Sequence, residues 1–241
     1  MPVDFEFIVP DEAVPFILYQ RTAYLTQVRS LWYRLGKKIA PRFFYRQLIL
    51  RESRQRKEEI KSLFYQDMMS EYKQIREFLP DDCQSILDIG CGVGGIDVLL
   101  FRHYENKSQL KLHLLDKTQT SDRVYYGFQN KGAYYNSLEL TREFLAKNGF
   151  PVESVNLYEA TADARIPLDG KVDLVISLLS WGHHYPVSTY LEQVYEHLRP
   201  GGYLILDIRN NTEGEKELTR KFSSLRTIST GSKCSRVLAI R

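Results

Sequence analysis

From Ser85 to Gly95 the chain reads Ser-Ile-Leu-Asp-Ile-Gly-Cys-Gly-Val-Gly-Gly. A short apolar run of strand formers ends in a cluster of glycines, and Ile96, Val98, Leu99 and Leu100 after it suit a helix. Strand, tight turn and helix start form the layout on which a nucleotide-like cofactor rests. Glycine belongs at such a turn because the backbone must bend sharply and meet a ligand bare, where any Cβ would block the approach.

The spacing fits two cofactor classes. Gly90, Gly92 and Gly95 satisfy the G-x-G-x-x-G of dinucleotide binders. Asp88, inside the strand end, extends this to Asp-x-Gly-x-Gly-x-Gly across Asp88, Gly90, Gly92 and Gly94. A carboxylate there suits a ligand carrying an ammonium and a sulfonium rather than a pyrophosphate. The stretch resembles motif I of the class I S-adenosylmethionine (SAM) dependent methyltransferases, which implies SAM as cofactor. The plain alternative is a glycine turn with no ligand, against which the later signals fall at the right distances.

The 241 residues accommodate one ordinary domain plus an extension. A net charge of +3 is too small to imply nucleic acid by itself. Cys83, Cys91 and Cys234 have no metal-ligand spacing, and an odd number argues against a disulfide framework. No metal ligands are assigned, and metal dependence stays open, since Asp163 and Asp207 would hold Mg2+ only if they converge. With no signal peptide and no apolar run able to span a bilayer, a reduced, cytoplasmic setting is expected.

The small net charge hides a basic arm. Between Arg21 and Lys61 stand twelve Lys and Arg residues opposed only by Glu52, Glu58 and Glu59. Tyr19, Tyr24, Trp32, Tyr33, Phe43, Phe44 and Tyr45 are interleaved with them. Ile60, Leu63, Phe64, Met68, Tyr72, Ile75 and Leu79 recur at helical spacing, and Pro15 and Pro41 are placed to open earlier helices. Residues 1–80 therefore read as a helical extension of residues 81–241. Its role is open between a packed cap, a substrate lid and a surface for an anionic partner such as RNA, a phosphorylated substrate or a membrane.

Leu110 to Leu115 reads as the second strand, closed by Asp116, an acid placed to accept hydrogen bonds from ribose hydroxyls or, alternatively, to cap a turn. The connection that follows is long and aromatic, with Tyr126 as a candidate wall of the acceptor pocket and a helix from about Ser137 to Lys147 capped by Asn148-Gly149. Val155 to Ala160 is a third strand. By the resemblance, Asp163 just beyond it accepts from the adenine amino group; alone it is a turn residue.

The run Val172 to Leu179 is nearly continuous and apolar, as in a strand buried on both faces, and it leads into Ser180-Trp181-Gly182-His183-His184-Tyr185-Pro186. By the resemblance this segment lies beside the transferable methyl group. An alcohol acceptor has to lose a proton, which imidazole accepts near neutral pH. His183 and His184 are the candidate bases, with Ser180 at the cofactor and Trp181 and Tyr185 shaping the acceptor pocket. Adjacent residues of extended backbone point opposite ways, so one histidine at most is expected to face the substrate. The absence of Asn/Asp-Pro-Pro-Tyr/Phe argues against amino methylation, and the absence of Pro-Cys argues against cytosine C5 chemistry.

A helix over Ser188 to Leu198, then Arg199-Pro200-Gly201-Gly202 and a strand over Tyr203 to Ile208, again resemble the class I methyltransferases, and argue against a dehydrogenase. Asp207 is placed to touch substrate or to seal an ion pair. A polar helix near Glu213 to Phe222 precedes a hairpin of Leu225 to Thr230 and Cys234 to Ile240. The expected fold is α/β: a Rossmann-like, doubly wound sheet of seven strands with a C-terminal antiparallel hairpin. The expected activity is methyl transfer from SAM to an oxygen of a small molecule. Ser177 to Leu191 is similar to methyltransferases of bacterial polysaccharide or secondary-metabolite pathways, which implies a sugar-like hydroxyl. RNA methylation and a catalytically silent SAM-binding partner remain as alternatives, and nothing in the sequence speaks to oligomeric state.

Overall fold

A computed structural model of the chain describes residues 7–104, 110–120 and 135–241. Seven strands form one sheet: β1 (Ser85–Ile89), β2 (Lys111–Asp116), β3 (Val155–Glu159), β4 (Val172–Ser177), β5 (Leu198–Arg209), β6 (Ser224–Thr230) and β7 (Cys234–Ile240). Their order is β3-β2-β1-β4-β5-β7-β6. The first five are parallel, whereas β7 runs antiparallel between β5 and β6. The expected seven strands and terminal hairpin are both present.

Period-two alternation sorts the strand side chains onto two faces. Ile86, Leu174, Ile176, Ile205 and Leu238 point into one apolar cluster. Leu87, Ile89, Val175, Leu204, Leu206, Val237 and Ala239 point into the other. All six residues of β4 are buried, as its unbroken apolar run requires of a central strand. Helices α5 (Gly95–Tyr104) and α6 (Leu138–Lys147) cover the first face, and α7 (Leu191–His197) and α8 (Gly214–Lys221) the second. Ser137 caps α6 by accepting from Leu140 N–H, and Gly149 beyond its C-cap adopts φ +89°.

The extension contributes α1 (Val14–Gln20), α2 (Leu31–Ile39), α3 (Pro41–Gln55) and α4 (Lys57–Ile75). Pro15 and Pro41 sit in the first turns of α1 and α3, where a missing N–H costs nothing. Ile60, Phe64, Met68, Tyr72 and Ile75 form the buried stripe of α4. These side chains, with Phe7, Ile17, Leu18 and Leu48, share one cluster with the sheet, so the hydrophobic core continues across Pro80. Asn148, at the end of α6, holds the N-terminal stretch by accepting from Ile8 N–H (2.8 Å) and donating to Ile8 C=O (3.0 Å). Part of the basic charge is neutralised internally: Arg56 pairs with Glu52 and Glu59, and Lys57 and Lys61 converge on Asp11.

Three boundaries differ from expectation, each for a local backbone reason. β4 stops at Ser177 because Leu179 adopts φ +55°. The helix after Pro186 starts late, since a 3-10 turn over Val187–Thr189 and a non-helical Tyr190 (φ −122°, ψ −1°) precede it. β5 begins at Leu198 rather than Tyr203. It runs through Pro200-Gly201-Gly202, its register against β4 shifting between Val172 and Leu174.

Candidate active site

A cavity of about 270 Å³ opens at the carboxyl ends of β1, β2 and β4. Its floor is the glycine turn. Gly90, Gly92 and Gly94 adopt φ of +78°, +55° and +82°, which explains why side chains are missing there. A Cβ on Gly90 would lie 1.9 Å from Ser180 Oγ, and one on Gly92 would lie 2.7 Å from Gln20 Oε1. Gly94 turns away from the cavity toward α6, where a Cβ would meet Thr141.

Asp116 lines the cavity beside this floor. Its Oδ2 accepts from Gly92 N–H (2.8 Å) and Asn136 Nδ2 (3.2 Å), and its Oδ1 from Lys117 N–H (2.7 Å). Counted among the described residues, one of the carboxylate's roughly four acceptor positions stays open for a ligand hydroxyl. Burial pushes its pKa up to about 6 against these donors. Thr141 Oγ1 donates to Gly92 C=O (2.8 Å), fixing the turn from the other side.

Asp88 forms the deep end of the cavity and is almost wholly buried. Its neighbour is Asp97 of α5, whose two oxygens meet no N–H or O–H donor among the described residues other than this carboxyl. Burial pushes Asp88 well above the usual carboxylate range, with the Asp97 and Asp116 charges adding to it, and burial pushes Asp97 up to about 7. Two adjacent buried anions would repel, so burial and the neighbouring charge both favour the protonated forms here. Asp97 was not foreseen: an acid in the first turn of a helix reads as an ordinary partner of the helix dipole.

The segment Ser180–Tyr185 crosses the mouth in extended conformation. Asp207 anchors it from below. Its Oδ2 accepts from Leu179 N–H (3.0 Å), and its carboxylate makes a bidentate pair with Arg236 at 2.7 and 2.8 Å. Arg236 also meets Glu71 of α4 at 2.6 Å. Gly182, at φ +80°, lies so close to Asp207 that a Cβ would sit 2.8 Å from its carbonyl oxygen. Both His183 and His184 line the cavity, where alternation predicted one. Their rings stand edge to face, centroids 4.8 Å apart. His183 is buried, with Nδ1 lacking a hydrogen-bond partner among the described residues. Burial, with the neighbouring His184 next in effect, lowers its pKa to about 4.

The remaining expectations divide. Ser180 and Tyr185 reach the cavity. Trp181 does not: it is fully buried in the second-face cluster, and its indole N–H donates to Val187 C=O (2.9 Å), so it is a core residue rather than an acceptor wall. Asp163 is exposed, bonded to Thr161 Oγ1 and outside the cavity, whereas Ala160 before it lines the wall. Asp163 and Asp207 thus do not converge as a cation site. Tyr126 lies outside the described residues. The extension supplies a wall that no local signal announced: Tyr19 to Thr22 at the end of α1, with Phe64 and Met68 of α4.

A methyltransferase domain family matches residues 44–236, most of the chain and all of the sheet up to β7. The chain belongs to this methyltransferase domain family. Among solved structures it is similar to a precorrin-6y C5,15-methyltransferase from Geobacter metallireducens, at 15% identity over 73% of this chain and 87% of that one, TM-score 0.49. A T. thermophilus 16S rRNA N2 G1207 methyltransferase in complex with AdoMet and guanosine matches at 14% identity over 72% of this chain and 42% of that one, TM-score 0.50. An O-methyltransferase of tomaymycin synthesis from Streptomyces achromogenes, in complex with SAM, matches at 15% identity over 72% and 88%, TM-score 0.44. No curated protein matches the sequence.

The methyltransferase domain and the seven-stranded Rossmann-like sheet agree with the class I, SAM-dependent reading. The site fits that cofactor: bare backbone at Gly90 and Gly92, an open acceptor position on Asp116, and a buried acid, Asp88, at the deep end for a cationic group. Among the described residues no helix is long and apolar enough to cross a membrane.

Proposed function

We propose that this methyltransferase moves the methyl group of SAM to an oxygen of a small polar acceptor, a hydroxyl of a sugar-like molecule, and that the histidine pair takes the displaced proton. The observation that carries this reading is the His183–His184 pair on the cavity wall, its rings edge to face. Bound SAM supplies an electrophilic methyl group and a neutral thioether as leaving group. The chain's own task is to hold the acceptor oxygen in line with that methyl and keep water away. Tyr185 and Tyr190 from one side, and Tyr19 and Phe64 from the other, enclose the space in which it does so.

Proton removal then falls to imidazole. Once the acceptor oxygen begins to bond to carbon, its hydrogen becomes strongly acidic, and a weak base suffices. With its pKa lowered to about 4, His183 is neutral at pH 7 and keeps a bare ring nitrogen. The proton passes from the acceptor oxygen to that nitrogen, and the O–H electron pair stays on the ether oxygen. A proton on one ring disfavours a second on its neighbour, so the pair carries one proton per turnover.

The test incubates the full chain and methyl-labelled SAM with a fractionated lysate, with and without ribonuclease. Label in a small, nuclease-resistant polar fraction supports the reading. In the H183A/H184A double variant, SAM binding should persist while labelling falls by about 10²-fold or more. Ribonuclease-sensitive label in the macromolecular fraction would overturn the small-molecule acceptor. An unchanged rate in the double variant would overturn the histidine base. SAM binding with no label in any fraction would point to a silent SAM-binding partner instead.

A further inference from the structure

The hairpin of α2 and α3 leaves a continuous apolar stripe in solvent. Leu31, Leu35 and Ile39, spaced i, i+4 and i+8 on α2, are 70%, 54% and 85% exposed, and Phe43 at the start of α3 is 57% exposed. The helix cannot hide this stripe by rolling. Its other face is already used: Trp32 and Tyr33 pack toward the core, and Gly36 is pressed against Phe44 so closely that a Cβ would meet the ring at 2.1 Å. Four large apolar side chains side by side exceed the scattered exposure normal for a soluble surface.

Charge decides what such a stripe fits. Arg34 and Lys38 follow Leu31 and Leu35 at i+3, on the flank of the stripe, and Lys37, Arg42 and Arg46 are exposed on the same hairpin. No Asp or Glu occurs anywhere from Ala13 to Arg51. A two-fold contact with a second copy would set these cations against their own images. RNA would meet the cations but offers aliphatic side chains nothing to bury into, since nucleic-acid grooves are recognised by stacking aromatics and bonds to phosphate. A bilayer with anionic headgroups satisfies both halves, accepting the stripe at the acyl boundary and the cations at the phosphates.

We infer that α2 and the start of α3 form an interfacial docking element that lays Leu31, Leu35, Ile39 and Phe43 into the surface of an anionic membrane. Docking there brings the surface close to the cavity wall, because Tyr45 of α3 contacts Tyr19 of α1 edge to face, centroids 5.8 Å apart. This inference does not depend on which acceptor is methylated.

The experiment is flotation of the full chain with phosphatidylcholine vesicles and with vesicles containing about one third phosphatidylglycerol, at low and high salt. Binding is expected to the anionic vesicles and to weaken as salt screens the cations. Each buried aliphatic side chain contributes roughly tenfold or more to partitioning, so L35S/I39S should lose most of the binding. R34Q/K38Q, which keeps the stripe, should lose about fivefold per charge on anionic vesicles only. Unchanged SAM binding in both variants shows that the fold is retained. The inference is overturned if the chain does not float with anionic vesicles, or if both variants float like the parent. It is equally overturned if RNA, and not lipid, is retained by the patch, or if L35S/I39S merely converts a dimer to a monomer in light scattering.

Discussion

Replacing Arg236 by Met tests whether the Asp207 network is what holds the mouth of the cavity. Arg236 is almost fully buried, and so is its partner, Asp207. Removing the guanidinium leaves the Asp207 carboxylate in apolar surroundings with the Leu179 N–H as its remaining donor among the described residues. Taking one partner from a buried pair costs about 3–5 kcal/mol. For a chain of this size that corresponds to a fall in Tm of roughly 6–20 °C. Glu71 is more solvated, so E71Q alone should cost no more than about 1 kcal/mol. In D207N/R236M a neutral amide still accepts from Leu179 N–H without a stranded charge, and about half of the loss or more should return. Urea unfolding followed by circular dichroism and by fluorescence of the buried Trp181 measures each variant. The reasoning is refuted if R236M stays within about 1 kcal/mol of the parent, or if D207N/R236M is no more stable than R236M.

Gly182 and Gly170 separate contact from backbone strain. G170A, at φ +99° with open space around it, should cost roughly 1–2 kcal/mol, whereas G182A meets the Asp207 carbonyl as well and should cost roughly 2–5 kcal/mol and depress methyl transfer, as paired melts and assays would reveal. The buried carboxyl of Asp97 makes stability depend on pH. Asp97 binds its proton more tightly folded (about 7) than unfolded (3.8), so that contribution is complete below 3.8 and is lost as pH rises through about 7. D97N should flatten this decline, and a parallel slope in parent and variant would show that Asp97 is not its source. If Asp116 faces the cofactor ribose, D116N, which keeps the size of the acid but not its charge, should weaken SAM binding by about tenfold in calorimetry, and unaltered affinity would remove Asp116 from the cofactor site.

The sheet was legible because its strands are short apolar runs closed by acids or glycines, and the glycine turn announces its own backbone. Gly182 shows where such reading stops. Trp181 before this left-handed residue points into the core, while both histidines after it line the cavity. The wall formed by Tyr19, Gln20 and Arg21 could not be read at all. Gln20 approaches Gly92 across more than seventy residues of chain, and nothing around Gln20 marks that contact. Asp163 stands outside the cavity for a different reason: the turn directs its carboxylate to Thr161 and solvent.

The shared core of extension and sheet also sets an order on synthesis. Phe7, Ile60 and Phe64 leave the ribosome first, yet their cluster includes Ile205 of β5 and Leu238 of β7. At 5–20 residues per second, a nascent chain waits roughly 10–30 s between Ile75 and Leu238 with that apolar stripe unburied. During this interval α1 to α4 have their basic and apolar surfaces available together. The Asp207–Arg236 pair beneath the cavity mouth likewise forms only when the last strand slots between β5 and β6.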